Sequence, residues 1–106
     1  MPKYLIQGSY SEQGLKGLLG EGGSKRREAA EQSIKGLGGR LEAFYYAFGK
    51  HDFVIIADLP SNVDASALSL AANASGAVKS RMTVLITPEE VDHATERTVK
   101  FRPPGK

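Results

Sequence analysis

Apolar and polar side chains alternate from Lys3 to Tyr10, setting Tyr4, Ile6, Gly8 and Tyr10 on one side of the chain and Lys3, Leu5, Gln7 and Ser9 on the other. A repeat of two is the signature of a strand. Ser11 follows as a helix N-cap, with Glu12 in the first turn, where the helix dipole favours a carboxylate. Leu15, Leu18 and Leu19 mark a short helical stretch, which the segment Gly20 to Gly23 is expected to break. The repeat then lengthens. Ala30, Ile34 and Leu37 stand at i, i+4 and i+7, the buried stripe of a helix from Ser24 to Leu37, with Glu28, Glu31, Gln32 and Lys35 turned to solvent. Gly38-Gly39 provides a left-handed stop.

Arg40 to Phe48 reads as a second strand, Gly49-Lys50-His51-Asp52 as a short turn, and Phe53 to Leu59 as a third strand. Pro60-Ser61-Asn62 ends that strand. Ser61, with Asp64 three residues on, caps a helix whose stripe is Ala65, Leu68 and Ala72, broadened by Leu70, Ala71 and Ala74. Gly76 ends it. Ala77 to Ile86 is a fourth strand, with Val78, Ser80, Met82, Val84 and Ile86 on one face. Thr87-Pro88-Glu89-Glu90 is the clearest local signal: an N-cap, a proline at the first helical position and a capping-box glutamate. This last helix should run to about Arg97, and Thr98 to Lys106, with Pro103-Pro104 and the cations Lys100, Arg102 and Lys106, reads as an extended tail.

The order β-α-β-β-α-β predicts an α+β, ferredoxin-like domain over residues 1–97, with two right-handed crossovers placing both main helices on one face of a four-stranded antiparallel sheet. The third strand, Phe53-Val54-Ile55-Ile56-Ala57, is apolar on both sides, and such strands are covered on both sides. Tyr45, Phe53, Ile55, Met82 and Val84 are assigned to one face. Leu5, Phe44, Tyr46, Phe48, Val54, Ile56 and Leu85 are assigned to the other. Two helices cover only one face. Burying each large apolar side chain on the remaining face is worth roughly 1.5–3 kcal/mol, so self-association through the sheet, as a homodimer or higher oligomer, is expected. The alternative cover is the terminal helix and tail folded back.

Composition narrows the partners. A net charge of +2 is too balanced to imply nucleic acid. The chain has no cysteine, which agrees with a cytoplasmic protein and leaves no thiol chemistry. No signal peptide fits Met1-Pro2-Lys3-Tyr4-Leu5-Ile6, and no window approaches the roughly 20 apolar residues of a membrane span.

Four segments together carry a family resemblance: Met1-Pro2-Lys3-Tyr4, Ser9-Tyr10-Ser11-Glu12-Gln13-Gly14, Leu37-Gly38-Gly39, and Phe44-Tyr45-Tyr46 before Gly49-Lys50-His51-Asp52. The chain resembles the GYD-domain proteins, small bacterial proteins named for a Gly-Tyr-Asp signature, over about Met1 to Pro88. His51 stands where that signature has tyrosine. The resemblance implies a dimeric α+β barrel, in which ferredoxin-like subunits pack sheet to sheet. It does not imply any one activity, because the wider group includes oxygenases, isomerases and ligand-binding proteins.

Two readings are open for the turn. Gly49 with a positive φ and Asp52 capping backbone amides would be turn chemistry alone. Alternatively, His51 and Asp52 line a pocket between sheet and helices, with His51 as a general base and Tyr10, Tyr45 or Tyr46 as its partner. Arg81 would then hold a substrate carboxylate or make an inter-subunit ion pair. His51 and His93 are the only histidines and lack ligand spacing, so no metal and no other cofactor is expected. Lys25-Arg26-Arg27 is either an anion contact or a solvated run, and Gly20 to Gly23 either a flexible break or a lid. Three functions are weighed. The first is a homo-oligomer binding a small molecule between sheet and helices. The second is a cofactor-free oxygenase or isomerase of an aromatic or keto compound using His51. The third is an interaction module whose basic tail docks an acidic partner.

Overall fold

Strand β1 (Lys3–Tyr10) runs through the middle of the sheet in a computed structural model that describes residues 1–106. It is followed by α1 (Glu12–Glu21), α2 (Gly23–Gly36), β2 (Arg40–Tyr46), β3 (Phe53–Asp58), α3 (Asn62–Ala74), β4 (Val78–Leu85) and α4 (Pro88–Thr95). The strands lie in the order β2-β3-β1-β4 and every neighbouring pair is antiparallel. This is the expected ferredoxin-like α+β arrangement.

The helix starts are those the caps dictate. Ser11 Oγ accepts from the Gly14 amide at 3.1 Å and donates to Gly76 O at 2.7 Å, tying the start of α1 to the turn before β4. Ser61 caps α3 through the Asp64 amide at 3.3 Å, and Thr87 with Glu90 closes both bonds of a capping box. Gly38 and Gly76 take φ of +84° and +78°, the left-handed stops after α2 and α3.

The core lies between the sheet and the helices. Tyr4, Ile34 and Leu59 are its largest fully buried side chains, joined by Ile6, Leu41, Phe53, Ile55, Ala57 and Ala65. Tyr4 keeps its buried hydroxyl satisfied by donating to Asn62 Oδ1 at 2.6 Å.

Four expectations need correction. The break expected over Gly20 to Gly23 lies in that segment but is narrower: the helix after β1 runs to Glu21, and the break is Gly22 alone, at φ +89°, between α1 and α2. Strand β2 stops at Tyr46, so the connection to β3 is the six residues Ala47 to Asp52, Phe48 is fully exposed, and Gly49 has no positive φ. Leu70, Ala71 and Ala74 do not broaden the buried stripe of α3; they are exposed. The face assignment of β2 is inverted. Leu41 pairs with Ala57, but the next pair is Ala43 with Ile56, leaving Glu42 as an extra residue in a β-bulge. The bulge shifts the alternation by one, so Phe44 and Tyr46 turn toward the helices with Ile55 and Phe53, while Tyr45 turns away with Val54 and is 69% exposed.

The far face of the sheet therefore carries Leu5, Ala43, Tyr45, Val54, Ile56 and Leu85, with no helix of the chain over it. At one end of this face, Lys3 Nζ bridges Asp58 Oδ1 at 2.9 Å and Glu42 Oε1 at 3.1 Å, and Arg40 reaches Asp58 Oδ2 at 3.2 Å. The terminal segment does not fold back as a cover. Every residue from Ile86 to Lys106 is exposed, and the longest axis of the molecule is 56 Å.

Candidate functional site

Each main helix is anchored at one end only. The buried residue of α2 is Ile34, near its end, and that of α3 is Ala65, near its start. The start of α2 and the end of α3 carry no buried residue, and a cleft of about 400 Å³ lies between these two helices and the sheet. Its floor is Ile6 and Tyr10 of β1 with Phe53 and Ile55 of β3. Its walls are Ala29 and Ala30 from α2 and Ala71 and Ala72 from α3. Of its 17 lining residues 13 are hydrophobic, the usual character of a small-molecule site. Tyr10 and Phe53 meet with ring centroids 5.3 Å apart. A wider groove of about 530 Å³ between α3 and β4 opens broadly to solvent and has no charged side chain in its lining.

The polar groups of the cleft are few. Ser33 donates to Ala29 O at 3.2 Å, Ser75 to Ala72 O at 2.6 Å, and Ser80 to Asn73 Oδ1 at 3.2 Å, so all three serine protons are already engaged. Asn73 also accepts from the Ser80 amide at 2.7 Å, which fixes the end of α3 against β4. Two further polar groups remain, the Tyr10 phenol and the Arg26 guanidinium, and Arg26 is the one charged side chain in the lining. Burial, reinforced by the neighbouring Tyr46 phenol, pushes Tyr10 up to about 12, with Arg26 pulling weakly the other way. At neutral pH Tyr10 is therefore a neutral hydroxyl able to donate.

The candidate residues separate. Tyr10 lines the cleft. Tyr46 stands beside it and donates to Gly23 O at 2.9 Å, tying β2 to the start of α2. Asp52 Oδ2 accepts from the Tyr10 amide at 2.9 Å, and its own amide donates to Gly8 O at 2.7 Å, so it does cap backbone, across to β1. His51 is partly buried in the β2–β3 connection, outside the cleft lining. Tyr45 and Arg81 lie on the far face, Arg81 paired with Gln7. No group of three or more His, Asp or Glu converges, and no helix is long and apolar enough to cross a membrane.

Arg26 was hidden in the Lys25-Arg26-Arg27 run, which helical geometry splits. Lys25 is exposed, Arg27 reaches Glu31 at 3.6 Å, and only Arg26 turns to the cleft. A signal was present: Arg26 stands four residues before Ala30 and eight before Ile34, on the stripe that buries α2.

The family model of the GYD domain matches residues 4–95. The chain belongs to the GYD-domain family. The match extends past the Met1 to Pro88 resemblance and takes in α4, so this helix is part of the GYD domain although none of its residues is buried. Neither the curated proteins nor the solved structures gave a match to this GYD domain.

Proposed function

We propose that this GYD-domain protein is a homo-oligomer, a dimer through the far face of its sheet, that binds a small molecule in the cleft between the sheet and α2 and α3. The observation that carries the binding reading is the cleft itself: about 400 Å³, largely apolar, with the Tyr10 phenol and the Arg26 guanidinium in its lining. The lining holds no histidine and no carboxylate, so it favours binding over acid–base turnover. The assembly reading is supported by the uncovered patch of Leu5, Ala43, Tyr45, Val54, Ile56 and Leu85. Removing each large member from water is worth roughly 1.5–3 kcal/mol, and the terminal segment does not supply the cover. The same reading puts the protein in the cytoplasm, in keeping with its lack of cysteine, and in a bacterium, as the family resemblance implies; cell fractionation tests the compartment.

Gel filtration with light scattering should give a dimer mass at micromolar concentration. A metabolite screen by thermal shift should find compounds that raise the melting temperature by mass action. A monomer would end the assembly reading. A screen without a hit, repeated by calorimetry, would end the binding reading.

A further inference from the structure

The donors and acceptors of the cleft are unequal, and the imbalance identifies what would complement it. Ser33, Ser75 and Ser80 have their protons engaged within the protein. The groups left to meet a ligand are the Arg26 guanidinium, which only donates, and the Tyr10 hydroxyl, which stays protonated at neutral pH and is shared with Tyr46. Arg26 is loosely held, since its partner Glu21 is 3.8 Å away and both side chains are substantially exposed. No carboxylate lines the cleft to oppose an anion.

The walls restrict the body of the ligand. Ala29 and Ala30 face Ala71 and Ala72 across the opening, over a floor of Ile6 and Phe53. Small side chains on two helices leave a slot between them, and an aromatic floor favours edge-to-face contact with a planar ring standing in it. A volume of about 400 Å³ is that of roughly a dozen waters at about 30 Å³ each, room for a ligand of about a dozen heavy atoms. One guanidinium balances one charge. Lys25 is exposed and Arg27 turns toward Glu31, so neither adds the second cation that a dianion would call for.

We infer that the cleft takes a small planar aromatic carboxylate, its carboxylate at Arg26 and Tyr10 and its ring between the alanine walls. This rests on the cleft-binding reading and adds to it the charge and shape of the ligand. A guanidinium meets a carboxylate with two parallel hydrogen bonds, stronger than neutral ones and stronger still beside an apolar floor. A neutral analogue of the same ring gains the apolar contact only.

Calorimetric titration of the full chain with 2-naphthoate and with 2-naphthalenemethanol tests this, using wild type, Arg26→Gln and Ala72→Trp. Wild type should bind the carboxylate at least about tenfold more tightly than the alcohol, as expected for a charge-assisted pair. Arg26→Gln should erase that preference and leave the alcohol affinity within about twofold, because only the charged contact is removed. Ala72→Trp, which fills the slot, should abolish both. If Ala72→Trp does not fold, amide chemical shifts of wild type titrated with 2-naphthoate should move at Ile6, Tyr10 and Phe53. Equal binding of the two compounds, unchanged by Arg26→Gln, would overturn the carboxylate assignment while leaving the cleft a binding site. Binding of neither compound to wild type would overturn the aromatic carboxylate assignment and leave the cleft-binding reading to the metabolite screen, whereas binding with shifts confined to other residues would overturn both.

Discussion

The ring of Phe53 occupies the space above Gly8 on the neighbouring strand: a β-carbon on Gly8 would lie 2.6 Å from Phe53 Cζ. The same carbon would lie 2.6 Å from Lys79 O and 2.9 Å from Ser80 Cα, so β1 is pinched between a side chain on one flank and backbone on the other. A flexible ring yields, but a strand backbone does so only by opening its ladder. Gly8→Ala should cost about 1–3 kcal/mol as overpacking, a fall of about 4–8 °C in melting temperature for each kcal/mol. Gly17 is the control. It lies in α1, where a β-carbon would meet nothing within 4 Å, so Gly17→Ala should stabilise by about 0.5–1 kcal/mol. Thermal unfolding of the two variants against wild type checks the pair, and equal behaviour would refute the pinch.

Asp58 is buried, at 8% exposure, between two cations. Its hydrogen bond from Lys3, helped by Arg40 and opposed by burial, holds its carboxyl below the ordinary value. A lowered carboxylate pKa contributes stability that is complete above the unfolded value of about 4 and disappears as pH falls through the folded value. Arg40 is 68% exposed and adds little. Asp58→Asn should therefore cost about 1–3 kcal/mol at neutral pH. Urea unfolding should show wild type and variant converging below about pH 4. A difference that stays constant into acid would mean that the charge is not the source of the stability.

The Tyr10 phenol is raised, first by burial and then by Tyr46, to about 12. A raised pKa contributes stability that is present below the ordinary tyrosine value of about 10 and is lost between that value and the folded one. Ultraviolet titration of the phenols should show a late step that Tyr10→Phe removes. An unchanged titration curve would place Tyr10 in water and open the cleft floor.

Ile56 pairs with Leu5 and Ala43 on the uncovered face of the sheet, on the side away from the core. Ile56→Lys should leave the melting temperature of the isolated subunit nearly unchanged while converting the proposed dimer to monomer by light scattering. A burial of roughly 1.5–3 kcal/mol is lost per interface copy, and a charge is placed against its symmetry mate's apolar surface. A variant that keeps the dimer mass would move the interface elsewhere.

The element order is legible because each boundary has its own local chemistry: Ser11, Ser61 and Thr87 as caps, and Gly38 and Gly76 as left-handed stops. The topology follows from that order. What the alternation along Arg40 to Phe48 does not disclose is the extra residue Glu42, since a bulge is set by pairing with β3 rather than by the strand's own pattern. Gly20 and Gly23 read as breakers, yet a helix tolerates glycine when its neighbours hold the turn, and only Gly22 has the backbone that ends one. The site is half legible. Tyr10 and the region between sheet and helices follow from the amphipathic pattern. The separation of α2 from α3 is a tertiary outcome, since each helix is buried at one end only, and the direction of Arg26 emerges only when the stripe of Ala30 and Ile34 is extended backward by one turn.

The extra residue in β2 is a spare, which lets this strand lose one residue at the bulge and keep its two faces. Deleting Glu42 would leave Leu41 opposite Ala57 and Ala43 opposite Ile56 in an unbroken ladder, so Phe44 and Tyr46 would still meet the helices and Tyr45 would still face away. Changing one aromatic to another there is a local repair problem. Adding a residue beyond the bulge is a frameshift in space, and a length library of this segment should tolerate the loss of Glu42 and reject an insertion between Ala43 and Tyr46.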